Sequence, residues 1–106
     1  MSETLARVKD LVVRAQVRVS DHGDEELEAD RLSAREVFAG LAEAVIVEDY
    51  ADSGRGPSVL VLERDSQNQP IHVVWGISYN RGPAVLVTAY RPDPQQWSSD
   101  FTRRLR

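Results

Sequence analysis

The feature that most constrains the fold is a pair of runs at residues 70–79 and 84–91, PIHVVWGISY and AVLVTAYR. Both runs are rich in β-branched and aromatic residues, and the four residues between them, Asn-Arg-Gly-Pro, are typical of turns. Two such runs joined by a short turn predict a β-hairpin. Because side chains alternate between the two faces of a strand, the register of this hairpin decides which residues share a surface.

The hairpin register predicts one apolar face and one semi-polar face. With a three-residue loop at 80–82, the opposed residues are His72 with Tyr90, Val73 with Ala89, Val74 with Thr88 and Trp75 with Val87. Apolar residues then meet apolar residues, which favours this register over a slip of one residue. The semi-polar face brings together the imidazole of His72, the hydroxyl of Thr88 and the phenol of Tyr90. This face is the candidate site.

The first half of the chain predicts helices. Apolar residues recur with helical spacing over residues 3–16, so we expect an amphipathic helix there. A short acidic helix is expected over residues 21–30, with Asp21 as its N-cap. The sequence Ser33-Ala-Arg-Glu is a capping-box pattern, and it indicates a third helix over residues 34–44.

The second half predicts strands and one further helix. The strand candidates, separated by Gly, Pro, Asn and Ser, are residues 45–50, 58–65, 70–79 and 84–91. A proline at position 94, with Trp97 and Phe101 four residues apart, predicts a short C-terminal helix over residues 93–104. Helices followed by strands indicate an α+β fold, in which N-terminal helices pack on a four-stranded, mainly antiparallel meander.

The composition bounds the class of protein. A chain of 106 residues with 42% hydrophobic residues is long enough for one core, so we expect a single domain over residues 1–106, with an N-terminal helix (1–16) ahead of a core region (17–104). The absence of cysteine excludes thiolate metal sites and cysteine nucleophiles and favours the cytoplasm. No run approaches the length of a membrane span and the N-terminus lacks the pattern of a secretion signal, so we expect a soluble protein.

The charge pattern opposes a general affinity for nucleic acid. Thirteen basic and seventeen acidic residues give a net charge of −4, so any RNA-binding role depends on a local patch. The acidic block at residues 21–30 and the basic C-terminus, with Arg103, Arg104 and Arg106, are expected to be solvated faces. The acidic spacing fits neither a calcium loop nor a zinc helix, and the sequence has no phosphate-binding loop or dinucleotide fingerprint. We therefore expect no metal site and no cofactor.

Two histidines carry a catalytic hypothesis. His22 lies at the start of the acidic helix, and His72 lies on the semi-polar face. If the fold brings them together, the pair can act as general base and general acid in RNA cleavage, with Tyr90 beside them. Arg91 or Arg55 would then stabilise the charge on the phosphorane.

Other polar residues are candidates for binding the substrate. Glu48 and Tyr50 alternate along the first strand of the meander and can join the same face. Together with Thr88 and Arg55 they are the expected substrate-binding residues. No register links that first strand to the hairpin from sequence alone.

These residues resemble a known family. The positions that carry the resemblance are His22, a helix led by Ser33, VEDY at 47–50, Gly56-Pro57, PIHVV at 70–74, TAY at 88–90, Pro92-Asp93-Pro94 and Trp97. In order and spacing they resemble the domain of unknown function (DUF) 4258 family, over roughly residues 17–104. Many members carry arginines where this chain has Glu26 and Asp30, so the acidic helix has lost two cations.

The resemblance also implies a function. Members of the family are similar to small bacterial toxin–antitoxin proteins, and the helix-then-meander order is similar to that of the RelE-like and BrnT-like ribonuclease toxins. The resemblance implies a bacterial cytoplasmic protein that cleaves RNA without a metal ion and is held by an antitoxin. The alternative is a noncatalytic interaction module whose strand edge or acidic helix docks a protein partner, and homodimerisation through that edge stays open.

Overall fold

The chain combines helices and strands in an α+β arrangement, as predicted. The computed structural model describes residues 2–51, 54, 56–77 and 82–105. Within these residues the helices are α1 (Glu3–Val13), α2 (Asp21–Ala29) and α3 (Ala34–Gly40), the last followed by a 3-10 turn at Leu41–Glu43. The strands are β1 (Val17–Val19), β2 (Val45–Tyr50), β3 (Ser58–Arg64), β4 (Pro70–Ile77) and β5 (Ala84–Tyr90).

The strands form one mixed sheet in the order β1-β5-β4-β3-β2. Consecutive strands from β2 to β5 are antiparallel, which confirms the predicted meander. β1 pairs in parallel with β5, so the described residues form a sheet of five strands, and the predicted number of four is wrong. β1 is only three residues long, which is too short for its alternation to distinguish a strand from a connecting segment.

The two faces of the sheet are covered differently. On the helical face, an apolar core includes the sheet residues Val59, Val61, Ile71, Val73, Trp75, Ile77, Ala84, Leu86 and Ala89. The helices contribute Leu5, Val8, Leu27 and Val37 to the same core. The opposite face, called the outer face below, carries His72 and Tyr90, and residues that follow β5 lie across it.

The register of β4 and β5 confirms most of the predicted pairing. As predicted, the opposed residues include His72 with Tyr90, Val73 with Ala89 and Val74 with Thr88. Trp75 lies opposite Leu86, so its predicted pairing with Val87 is wrong. An irregularity after Val74 shifts the register by one residue and places Leu86 in the core with Trp75. Residues 78–81, which include the end of the predicted strand 70–79 and the first two residues of the predicted loop 80–82, lie outside the described residues.

Side-chain caps define where two of the helices begin. Ser20 Oγ accepts a hydrogen bond at 2.9 Å from the amide three residues later, so Ser20 and not Asp21 is the N-cap of α2. Ser33 Oγ accepts from the Glu36 amide at 3.0 Å, as the capping-box pattern predicts. The Glu36 carboxylate accepts instead from the Ser66 hydroxyl, at 3.2 Å, and so ties the helix to the loop between β3 and β4.

Helices α1 and α3 end before their predicted boundaries. α1 ends at Val13, and the chain then turns through Ala15, which has a left-handed φ of 62°. This turn delivers Gln16 to the edge of β5, where its carbonyl accepts from the Ala84 amide at 2.9 Å. α3 ends at Gly40 and tightens into the 3-10 turn before β2 begins.

The C-terminal segment is not helical, so the predicted helix over residues 93–104 is wrong. Residues 92–105, called the C-terminal strap below, form turns and bends that lie across the outer face. Short polar side chains compete with helical hydrogen bonds there: Asp100 Oδ1 accepts from the amide and the hydroxyl of Thr102, at 3.2 and 2.7 Å. Phe101 has a left-handed φ of 63°, which a right-handed helix excludes.

Helix α2 lies very close to β5 at Gly23. A Cβ atom at this position would lie 2.6 Å from the Leu86 carbonyl oxygen and 3.1 Å from Leu86 Cδ2. The first of these contacts involves backbone, which cannot move aside as a flexible side chain can. Glycine therefore permits the approach of the helix to the strand.

Gly23→Ala is expected to destabilise the fold. Alanine is the better helix former by about 1 kcal/mol, but overpacking costs about 1–3 kcal/mol and outweighs that gain. Urea unfolding at neutral pH measures the difference, and Gly54→Ala is the matched control because no heavy atom lies within 4 Å of a Cβ built there. A Gly23→Ala variant as stable as the wild type would contradict the close contact.

One carboxyl group is buried in the helical face. Glu63 is 1% exposed, and its Oε2 accepts a hydrogen bond from Trp75 Nε1 at 3.1 Å. Its Oε1 has no hydrogen-bond partner among the described residues. Burial raises the pKa of Glu63 to about 8, against the smaller lowering effects of the Trp75 bond and of Lys9. Glu63 is therefore mainly protonated at neutral pH.

The raised pKa of Glu63 makes stability depend on pH. The carboxyl group loses its proton near pH 4.5 in the unfolded chain and near pH 8 in the folded chain. At this group the folded state binds more protons between these values, so the contribution of Glu63 to the free energy of unfolding falls as pH rises from 4.5 to 8. Glu63→Gln, which keeps an acceptor for Trp75, should remove this fall, a relative gain of roughly 1–4 kcal/mol at the upper end. Denaturant unfolding of both proteins across the range measures it, and parallel profiles would show that Glu63 is not protonated in the fold.

Candidate functional site

A buried histidine joins the sheet to the C-terminal strap. His72 is 0% exposed, with Nε2 2.8 Å from the Phe101 carbonyl oxygen and Nδ1 3.2 Å from the Tyr90 hydroxyl oxygen. Because a carbonyl oxygen only accepts, Nε2 carries the proton and donates to Phe101. In the neutral ring, Nδ1 then accepts from the Tyr90 hydroxyl. Both ring nitrogens are occupied inside the protein.

Aromatic rings enclose this imidazole. The Trp97 ring meets it edge-on with centroids 4.4 Å apart, and the Tyr90 ring does so at 5.4 Å. Burial lowers the pKa of His72 below its ordinary value, and the hydrogen bond to Phe101 opposes this effect. Burial also raises the pKa of Tyr90. The buried pair is therefore neutral at neutral pH.

Three polar side chains that are exposed or half-buried meet beside the buried pair. Arg104 Nε and Nη2 donate to the Glu48 carboxylate at 2.9 and 3.1 Å, and the Tyr50 hydroxyl donates to the same carboxylate. Glu48 and Tyr50 are two residues apart on β2 and so share a face, whereas Arg104 comes from the strap. The Arg104 guanidinium also lies over the Trp97 ring, 4.8 Å from its centroid.

Electrostatic interactions link the buried and the exposed groups. The hydrogen bond from Arg104, and then that from Tyr50, lowers the pKa of Glu48. Burial, and then the bond to Glu48, raises the pKa of Tyr50. Arg104 and Glu48 also act on the pKa values of His72 and Tyr90. We call this group the outer-face cluster, and its members are Glu48, Tyr50, His72, Tyr90, Trp97 and Arg104.

The sheet separates the two histidines of the catalytic hypothesis. His22 lies in the first turn of α2 with its Nε2 3.4 Å from Glu26 Oε1. Helix α2 packs on the helical face, where Leu27 enters the core, whereas His72 points to the outer face. The structure therefore does not bring His22 and His72 together. The position of His22 depends on where α2 packs, and the alternation of residues along β4 does not predict that packing.

Two further predicted site residues, Arg91 and Thr88, are not members of the outer-face cluster. Arg91 is directed to the loop between β3 and β4, where Nη2 donates to Asp65 at 2.7 Å and Nη1 to the Pro70 carbonyl at 3.1 Å. Thr88 is half-buried and lies two residues before Tyr90 on the same face of β5. Arg55 lies outside the described residues.

The described residues contain neither a metal-binding cluster nor a membrane-spanning helix. Among these residues, no group of three or more His, Cys, Asp or Glu side chains is arranged to hold a metal ion. Within the same residues, no helix has both the length and the apolar character needed to cross a membrane.

Sequence reasoning missed two groups of the site, the Arg104 side chain and the Phe101 carbonyl. Arg104 lies 56 residues after its partner Glu48, and the basic C-terminus looks like a solvated face when read alone. The one available signal was Trp97, which belongs to the resemblance motif and lies seven positions before Arg104. In the predicted helix, Trp97 and Arg104 would lie about two turns apart and would not be in contact.

Comparison with protein families identifies a match over most of the sheet and helices. Residues 19–91, more than half of the chain, match a domain of unknown function, DUF4258. The chain therefore belongs to the DUF4258 family, as the sequence motifs predict. The matched region ends at Arg91, so the strap with Trp97 and Arg104 lies beyond it.

Similarity to curated proteins is local. Over 56 residues the chain is 38% identical to translation initiation factor IF-2 of Buchnera aphidicola subsp. Acyrthosiphon pisum, in strains Tuc7 and 5A. The match covers 52% of this chain and 6% of the initiation factor, so the chain spans only a small part of that protein. No solved structure is significantly similar to this chain.

The contacts of His72 predict both its tautomer and its titration. At pH 6.5, where an ordinary histidine is about half protonated, we expect His72 to be mainly neutral with its proton on Nε2. Imidazole ¹⁵N NMR measures both properties, and the exposed His22 is an internal comparison. Because the folded state holds this proton less tightly than the unfolded chain, the contribution of His72 to the free energy of unfolding should fall as pH drops below about 6.5. A ring that is mainly imidazolium at pH 6.5, or protonated on Nδ1 when neutral, would contradict these contacts.

Proposed function

We propose that this member of the DUF4258 family is a toxin-like bacterial protein of the cytoplasm that cleaves RNA without a metal ion. The observation that supports the proposal is the outer-face cluster, in which the exposed groups of Glu48, Tyr50 and Arg104 meet. Cleavage of a phosphodiester by the neighbouring 2′-hydroxyl needs a base, a cation and a proton donor. A carboxylate, a guanidinium and a phenol supply these three groups.

Each exposed member of the cluster has a role in the proposed reaction. Glu48 takes the proton of the 2′-hydroxyl, the 2′-oxygen attacks phosphorus, and the bond between phosphorus and the 5′-oxygen breaks. Arg104 stabilises the negative charge of the phosphorane. Tyr50 gives its proton to the departing 5′-oxygen, and Glu48 then returns a proton to Tyr50. The products are a 2′,3′-cyclic phosphate and a 5′-hydroxyl.

The buried members of the cluster act as positioning residues in this proposal. His72 binds the Phe101 carbonyl and packs on Trp97, so it holds the strap that carries Arg104. Tyr90 holds the other nitrogen of His72. His22 has no part in the reaction, because the sheet lies between it and the cluster.

The proposal also concerns the partners of the protein. A toxin-like ribonuclease requires an antitoxin that restrains it, and the order of helices before an antiparallel meander is similar to that expected of the RelE-like and BrnT-like toxins. The net charge of −4 opposes general RNA binding, so contact with RNA must rely on local cations such as Arg103 and Arg104 in the strap.

A noncatalytic interaction module is the second candidate function, and the position of β2 at the edge of the sheet favours it. β2 is a terminal strand of the sheet, and its residues Val45 and Tyr50 are 51% and 39% exposed. A strand edge of six residues can pair with an extended segment of a partner protein or with a second copy of the chain. This function would need none of the acid–base chemistry of the cluster.

RNA cleavage in the presence of EDTA tests the first proposal. The wild type should cleave single-stranded RNA in EDTA and should arrest growth when it is expressed in bacteria. Glu48→Gln removes the base and Arg104→Lys removes the bidentate contact, so each should lower the cleavage rate by roughly 10²–10⁴. Gel analysis of the RNA measures the rates.

The matched control is His22→Gln, which changes the other histidine of the original hypothesis. It should cleave RNA as the wild type does. A loss of cleavage in a folded His22→Gln variant would restore the two-histidine mechanism, and RNA left intact by the wild type would leave the interaction module as the better account. Thermal unfolding of each variant separates loss of chemistry from loss of fold.

A further inference from the structure

The contact between Glu48 and Arg104 occupies both groups that the proposed reaction needs. Arg104 uses two of its nitrogens on the Glu48 carboxylate, and Tyr50 donates to the same carboxylate. The pKa of Glu48 is lowered, first by the hydrogen bond from Arg104. A carboxylate held in this way is a poor base, so the observed arrangement is a resting one.

This ion pair is weak enough to exchange. The side chains of Arg104 and Glu48 are 62% and 30% exposed. Exposed ion pairs contribute about 0–1 kcal/mol to stability. A phosphate group offers the guanidinium an equivalent pair of charge-assisted hydrogen bonds. Phosphate can therefore replace the carboxylate at small cost.

The strap stays in place without the ion pair. Trp97 is 5% exposed and packs on the buried imidazole of His72. The Phe101 carbonyl accepts from the same imidazole at 2.8 Å. These contacts hold the backbone before Arg104, so the exchange needs a movement of the Arg104 side chain alone.

We propose that Arg104 is a phosphate-responsive switch, which leaves Glu48 to bind a phosphate group of the RNA backbone and thereby frees Glu48 to act as the base. The inference rests on the proposed function for the identity of that phosphate as RNA, whereas the exchange itself requires only an anion of phosphate geometry. Glu48 becomes basic only when a phosphate is in place. Binding and proton abstraction are thus coupled through one side chain.

A titration of Glu48 in the presence of phosphate tests the switch. Carboxyl ¹³C NMR follows the pKa of Glu48 in the full chain, with ionic strength held constant by chloride. Inorganic phosphate should move this pKa upward toward its ordinary value of 4.5, because phosphate takes away the guanidinium that lowers it. A DNA dinucleotide, which lacks the 2′-hydroxyl and cannot be cleaved by this route, should have the same effect.

Two arginine variants provide the comparison. Arg104→Gln should show the raised Glu48 pKa without phosphate and no further change when phosphate is added. Arg35→Gln removes the same charge from an exposed residue of α3, on the opposite side of the sheet from the cluster, and it should respond to phosphate as the wild type does. Thermal unfolding confirms that both variants are folded.

The outcomes separate the switch from the proposed function. A Glu48 pKa that phosphate does not move in the wild type overturns the switch, and so does an equal shift in Arg104→Gln. A phosphate-dependent shift in a protein that leaves RNA intact supports the switch and refutes the ribonuclease proposal. RNA cleavage by a wild type whose Glu48 pKa does not shift with phosphate supports the ribonuclease proposal and refutes the switch.

Discussion

The hydrogen bond from His72 Nε2 to the Phe101 carbonyl is the interaction on which the site depends, because it fixes an irregular segment on a regular sheet. The strap has little secondary structure of its own, and Phe101 adopts a left-handed φ of 63°. Such a conformation costs about 1–3 kcal/mol in a residue with a side chain. Burial of an aromatic ring such as Trp97 contributes about 1.5–3 kcal/mol. Together with the buried hydrogen bond, that is enough to offset the strain.

Because the position of the strap depends on His72, a fully buried histidine lies at the centre of a candidate site without direct access to a ligand. An imidazole that donates from one nitrogen and accepts at the other can join two elements in a fixed orientation. At neutral pH the lowered pKa of His72 keeps the ring in the form that makes both bonds. The exposed chemistry then belongs to Glu48, Tyr50 and Arg104, which the joined elements bring together.

Local patterns predicted the elements of the fold better than their distant contacts. The alternation of residues in β4 and β5 was sufficient to place His72 opposite Tyr90, since hairpin pairing depends on nearby residues. The parallel pairing of β1 with β5 joins residues far apart in the chain, and no pattern among neighbouring residues in the sequence predicts it. The prediction of a helix in the strap was wrong for a different reason. Its proline and spaced aromatics favour a helix, but Asp and Ser side chains bind the backbone of nearby turns instead.

The separation of His22 from His72 has an electrostatic consequence. The acidic residues of α2 lie on the helical side of the sheet, whereas Arg104 lies on the outer side. Packed layers are about 10 Å apart, and the Debye length at physiological ionic strength is about 8 Å. Exposed charges on α2 are therefore largely screened from a phosphate at the cluster, and the net charge of −4 overstates the repulsion there. At low ionic strength the screening weakens, so the acidic helix then opposes RNA more strongly, although the basic residues of the strap attract it more strongly as well.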